Sequence, residues 1–319
     1  MFGLHPSMPK THELFAKNQL LPIHAIASPY RDRSHFDGQD VLENGAVRAG
    51  DKRDGWLNRA LLPLGGGLGH ETAIALSQNT PLVLRGDNSV TSWAPSQLPD
   101  ADEDTLRRIA SMYSNDEFFS TRLIQALESQ DIAEGMSGMQ RRGRQNDRAR
   151  SKALIQAAGR FLNAEDGPQI AVLEYGGWDT HANQGAASGA LANKFAGLDA
   201  DLDTLREELG PTWSNTVVAV VTEFGRTVKV NGTRGTDHGT ATAALLLGGA
   251  VNGGKVMADW PGIASNDLYE GRDLYPTSDA RGLFKGILAE HLLIAENYLE
   301  SEVFPDSSNV RAMRDIIRM

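Results

Sequence analysis

The chain has 319 residues, 40% of them hydrophobic, and sets 31 Lys plus Arg against 41 Asp plus Glu for a net charge of -10. That length and apolar content can fill the core of one large α/β domain, while the acidic balance argues against duplex nucleic acid and anionic membrane surfaces as partners. Zero cysteines exclude disulfides, thiolate metal sites and cysteine nucleophiles, and leave the compartment open.

No apolar run approaches the roughly 18 residues of a membrane span. The opening MFGLHPSMPK lacks the basic region, apolar core and small-residue cleavage site of a signal peptide. In chain order, a helical period over residues 10–18 leads into an apolar run at 21–27 (LPIHAIA) that predicts a buried strand, followed by helical stretches at 36–43 and 56–62. A weaker strand is expected at 81–84. Helical periods then fill 103–113, 117–133 and 149–162, so residues from about 100 to 160 read as a mainly helical insertion within a single domain spanning 1–319. Inside it, 135–147 (GMSGMQRRGRQND) predicts a loop or hinge, whose Arg141, Arg142 and Arg144 suit a solvated charge run or an anion contact.

Strands follow at 169–173 (QIAVL), 216–221 (TVVAVV) and 242–247 (TAALLL), with helices at 190–209 and 279–294; the stretch 258–276, rich in Asp, Gly and Pro, predicts surface loop. Strand and helix alternate, which predicts a layered α/β sheet. Residues 249–255 (GAVNGGK) approach a phosphate-binding loop, but Val256 replaces the required Ser/Thr and Pro261 opposes a following helix. No G-x-S-x-G elbow is present.

Polar clusters stand directly after two of these strands. Glu174, Asp179 and His181 follow 169–173, and Glu223 and Arg226 follow 216–221. Residues just past strand ends gather along one edge of an α/β sheet, the usual ligand crevice. A third cluster, Asp237 and His238, precedes the strand 242–247 instead. It reaches the same edge only if that strand is antiparallel, and the short connection from Glu223, with Asn231-Gly232 and Gly235, leaves no room for a crossover helix.

Carboxylates with one or two imidazoles suit a divalent ion such as Zn²⁺, Mn²⁺ or Fe²⁺ acting as Lewis acid. The plainer alternative makes Asp179 a helix N-cap with His181 in the first turn. Ser34 likewise fits an N-cap, with Asp37 as capping-box partner, or a nucleophile at a helix N-terminus. His35 could be a ligand, a hydrogen-bond donor or structural. Arg226, or Lys229 or Arg234 beside it, suits an oxyanion or a salt bridge to Glu223 or Asp237.

The stretches LHPSMP, RSHFDGQD, GWLNRAL, TPLVLRG, EYGGWDTHANQ, VVTEFGRT and TDHGTATAALLLGGAVNGG, in that order, resemble the bacterial family known as domain of unknown function 1501. The resemblance implies the alkaline phosphatase and sulfatase superfamily: a three-layer α/β/α sandwich with a mostly parallel sheet, a divalent metal (Zn, Mn, Mg, Ca or Fe), and hydrolysis of small phosphate or sulfate esters. It implies Ser34 near the nucleophile position, Glu174 and Asp179 as the paired metal carboxylates, Glu223 as the next, and His238 as the late histidine ligand. It also implies an exported protein, catalytic or, alternatively, a non-catalytic binding or assembly relative.

Three departures stand out. Superfamily phosphatases usually have a histidine four residues after the aspartate, where this chain has Asn183, and Asp-His where it has Glu223-Phe224. Family members also usually open with an export signal and a strand ending in a Gly-Gly-x-Asp-Gly turn. Because that strand lies centrally, its absence is expected to leave two strands without ladder partners and a metal without one carboxylate.

Overall fold

The structure is a computed structural model that describes residues 2–65, 71–95, 103–113, 116–134 and 147–318. It is a mixed α/β fold. The first elements are α1 (Pro9–Ala16), β1 (Leu20–Ala27), α2 (His35–Asn44) and α3 (Trp56–Leu61), followed by β2 (Ala73–Ala75) and β3 (Thr91–Ser92). Then come α4 (Glu103–Tyr113), α5 (Glu117–Glu134), α6 (Asp147–Asn163), β4 (Ile170–Val172), α7 (Ala190–Leu209), β5 (Val218–Val220), β6 (Thr242–Leu247), β7 (Ser278–Asp279) and α8 (Ala280–Glu290). No described helix is long and apolar enough to cross a membrane.

The helices fall within a few residues of their sequence signals. The strand expected at 81–84 does not form; Leu82–Leu84 is a single 3-10 turn. The break at 135–147 lies outside the described residues up to 146, and Asp147 already begins α6. The three strands that periodicity misses, β2, β3 and β7, are two or three residues long. Such runs are too short to carry a period.

The strands form two sheets, ordered β3-β2-β4 and β5-β6-β1-β7. In the first, all pairs are parallel; in the second, β6 runs antiparallel to both β1 and β5 while β1 pairs parallel with β7. The expectation of an antiparallel strand at 242–247 therefore holds.

Both sheets separate the same two apolar cores, because side chains alternate across a strand. Leu21 and Ile23 of β1, Ala73 and Ala75 of β2, Ala244 and Leu246 of β6, and Ile170 and Val172 of β4 face a core built with α3 and α8. Leu20, Ile74, Leu247 and Ala171 face the opposite core, built with α1, α6 and α7. Helices thus cover both faces.

β4 and β5 are end strands of the two sheets, and the loops that follow them meet at the site described below. Each of these two strands is paired on one edge only. All three residues of β2 are buried, whereas those of β4 are half-buried and Ala219 in β5 is exposed.

Candidate metal centre

Four segments meet at one edge of the sheet. After β1 the chain turns through Arg33, whose φ of 62° is left-handed, and enters α2 with His35 as its first residue. The loop between β4 and α7 brings Asp179 and His181. The segment after β5, with Glu223 to Thr227, lies antiparallel to the one before β6: Arg226 bridges His238, the Gly239 N–H donates to the Gly225 carbonyl at 2.8 Å, and the Gly225 N–H donates to Thr240 at 2.9 Å. Glycine is required at this pinch. A Cβ on Gly225 would fall 1.9 Å from the Ala241 carbonyl oxygen, and one on Gly239 2.5 Å from that of Arg226.

His35, Asp179 and His238 each offer a ligand atom within 4.8 Å of the others, a group that could hold a metal ion. His181 joins them: its Nε2 lies 2.9 Å from Asp179 Oδ1 and 3.0 Å from His238 Nε2, while His238 Nε2 is 3.1 Å from the same carboxylate oxygen. His35 Nε2 is 3.4 Å from the other oxygen, Asp179 Oδ2.

The opposite ring nitrogens decide the chemistry. His238 Nδ1 stands 2.8 Å from the Arg33 carbonyl oxygen, which only accepts, so that nitrogen carries the proton. His35 Nδ1 is 2.6 Å from Glu223 Oε1, and His181 Nδ1 is 3.2 Å from Asp237 Oδ1. The Nε2 atoms of all three rings converge on the Asp179 carboxylate, and where Nδ1 carries the proton the Nε2 lone pair is free for a metal ion. Ring nitrogens and a carboxylate gathered in this way could hold a metal ion. Ligands about 2.0–2.1 Å from a tetrahedral ion stand roughly 3.3 Å apart, in line with these separations.

The charged groups of the cluster act on one another. Burial, the largest single influence, pushes the Asp179 carboxyl up, but the bonded Arg226 guanidinium and then His181 and His238 outweigh it and hold it down at about 2. Burial likewise lowers the His35 imidazole, yet the Glu223 and Asp179 carboxylates at its two nitrogens raise it above the ordinary histidine value. The amide of Asn231 and then His181 lower the Asp237 carboxyl. Phe224 forms an apolar wall, with its ring centroid 4.9 Å from that of His35 and 4.8 Å from that of His238.

Of the residues anticipated from sequence, Asp179, His181 and His238 come together at the centre. Glu223 and Asp237 touch it through the far nitrogens of His35 and His181. Glu174 lies apart, its Oε1 accepting from Gln39 Nε2 at 2.9 Å. Arg226 donates through Nη1 to Asp179, through Nη2 to the Thr236 carbonyl and through Nε to Thr236 Oγ1, so all three nitrogens are engaged within the protein. Ser34 occupies the N-cap position of α2 without a side-chain cap bond. Its N–H donates to the Tyr30 hydroxyl at 3.1 Å, and that hydroxyl lies 3.4 Å from Asp37 Oδ2, so a tyrosine stands where the capping box was expected.

The model of the family described as protein of unknown function (DUF1501) matches residues 11–301. The chain belongs to this family. No curated protein and no solved structure matches it. For this DUF1501 chain, sequence left His35 as ligand, donor or structural residue; its place just beyond β1, beside Ser34, is the signal that favours the ligand.

Proposed function

We propose that this DUF1501 protein is a divalent-metal-dependent hydrolase of small phosphate or sulfate esters, with an alkaline phosphatase-like fold and an exported location. The convergence of three imidazole Nε2 atoms on the Asp179 carboxylate carries the reading. His35, Asp179, His181 and His238 would hold the ion, and a bound divalent metal would supply Lewis-acid polarisation of the ester oxygen.

The remaining residues prepare the site. Glu223, Asp237 and the Arg33 carbonyl fix the tautomers of the three imidazoles, and Arg226 holds Asp179 ionised and oriented. Ser34, free of a capping bond, is the candidate nucleophile. The first-turn N–H groups of α2 beside it favour a phosphate or sulfate oxygen.

A second reading, a metal-binding protein without turnover, is favoured by one observation. Arg226 directs one N–H from each of its three nitrogens at Asp179 and Thr236, which leaves only one N–H on each of Nη1 and Nη2 for a substrate oxyanion. Metal analysis of the purified protein, followed by a phosphate and sulfate monoester screen of wild type against Asp179→Ala, separates the two. Metal-dependent turnover lost in Asp179→Ala supports the hydrolase; bound metal without turnover on any ester supports the second reading, and absence of bound metal rejects both.

A further inference from the structure

Asp273 lies in the stretch 258–276, whose composition predicts surface loop, yet its side chain is fully buried. A carboxylate loses its hydration there and needs partners in return. Its Oδ2 accepts from Arg33 Nε at 2.7 Å, from Thr240 Oγ1 at 2.9 Å and from Arg272 Nη1 at 3.4 Å, while Oδ1, 3.3 Å from the same Nη1, takes part in the ion pair without a hydrogen bond of its own among the described residues. Each of these three partners leads to His238 by a separate route. The Arg33 carbonyl takes the His238 Nδ1–H at 2.8 Å, Arg272 Nη2 donates to the His238 carbonyl at 2.7 Å, and Thr240 is two residues along the chain.

We propose that Asp273 is a positioning residue for the metal centre: by clamping Arg33, Arg272 and Thr240 it holds His238 as the Nδ1–H tautomer with Nε2 turned toward Asp179. This rests on the metal-binding reading above. The physical need is specific. Arg33 adopts a left-handed φ of 62°, a conformation uncommon outside glycine, and its carbonyl aims at His238 only while that turn persists. Asp273 and Glu270, the latter 2.6 Å from Arg33 Nη2, hold its guanidinium. Once the turn relaxes, the neutral imidazole can carry its proton on Nε2, where it blocks ligation. Because Arg33 directly precedes Ser34 and His35, the same clamp sets the start of α2.

Two measurements on the full chain test this: the ¹⁵N tautomer signature of His238 in metal-free protein, and Zn²⁺ affinity by chelator competition. For Asp273→Asn with a native-like amide spectrum, we expect His238 to shift from a single Nδ1–H tautomer to a mixture and Zn²⁺ to bind about 10–100-fold more weakly, as for other outer ligand partners. Glu290→Gln replaces with a donor NH2 one of the two carboxylate oxygens that accept from the Asp315, Ile316 and Ile317 N–H groups elsewhere in the fold. It is expected to lower stability while leaving both readouts unchanged. An unaltered His238 tautomer in folded Asp273→Asn overturns the proposal. If Asp273→Asn does not fold, Arg33→Lys, which loses the fork but keeps the charge, decides by the same tautomer reading. Should wild type take up no Zn²⁺, the metal-binding reading fails, and the tautomer in metal-free protein still upholds or overturns the role of Asp273.

Discussion

At the scale of single residues, the centre depends on pairs rather than on isolated ligands. Glu223→Gln replaces the carboxylate that accepts from His35 Nδ1 with a neutral amide. It is expected to weaken Zn²⁺ binding about 10–100-fold while leaving the fold intact, as read by chelator competition beside circular dichroism; undiminished affinity would remove Glu223 from the site. Two histidines outside the centre govern acid stability. Burial lowers the imidazoles of both His24 and His291 below the ordinary 6.5, and His24 Nδ1 is buried without a hydrogen-bond partner. The unfolded chain therefore takes up these protons first, so their contribution is fully present above the unfolded value and is lost as pH falls through the folded ones. His291→Leu should flatten the decline in urea midpoint between about pH 7.5 and about pH 5; a decline as steep as in wild type would assign the acid sensitivity elsewhere.

At the scale of elements, α8 is fixed by its cap. The Asp279 carboxylate accepts from the Arg281 backbone N–H at 2.8 Å and from Arg281 Nη2 at 2.7 Å. Asp279→Ala is expected to lower the unfolding free energy by about 1 kcal/mol for the lost cap. A further loss comes from stranding Arg281, which is only 7% exposed. Urea denaturation measures the sum, and a change below a few tenths would mean that the cap is immaterial. The end strands make a second prediction. Amides on the outer edges of β4 and β5 have no ladder partner among the described residues, so in hydrogen exchange they should lose protection well before those of β1, which lies between β6 and β7. Equal protection would show that the two edges are covered in solution.

At the scale of the whole molecule, an ion bound at the centre would couple four distant segments, those carrying His35, Asp179 with His181, Glu223, and His238. Ligation should therefore stabilise the fold globally. At a free Zn²⁺ concentration 100 times its Kd, mass action adds about 2.7 kcal/mol. The melting temperature should rise with Zn²⁺ and return on chelation in wild type, but not in His238→Ala. A rise of equal size in His238→Ala would place the ion somewhere else.

Sequence by itself determined the helices, the long strands and the antiparallel sense of β6, since apolar period and connection length are local properties of the chain. It also brought Asp179, His181 and His238 to one edge, because residues beyond strand ends must gather there. Only the tertiary structure decided their roles. Whether an imidazole faces an ion or a neighbour depends on what its other nitrogen meets, and Glu223, Asp237 and the Arg33 carbonyl reach those nitrogens across 188, 56 and 205 residues of chain. Glu174 looked equivalent to Asp179 in sequence, yet it points to Gln39. Asp273 sat in a segment of loop composition, and nothing local marks a carboxylate that two arginines from separate segments will bury. The division between the two sheets is of the same kind, because pairing between strands is a long-range contact that no window of sequence contains.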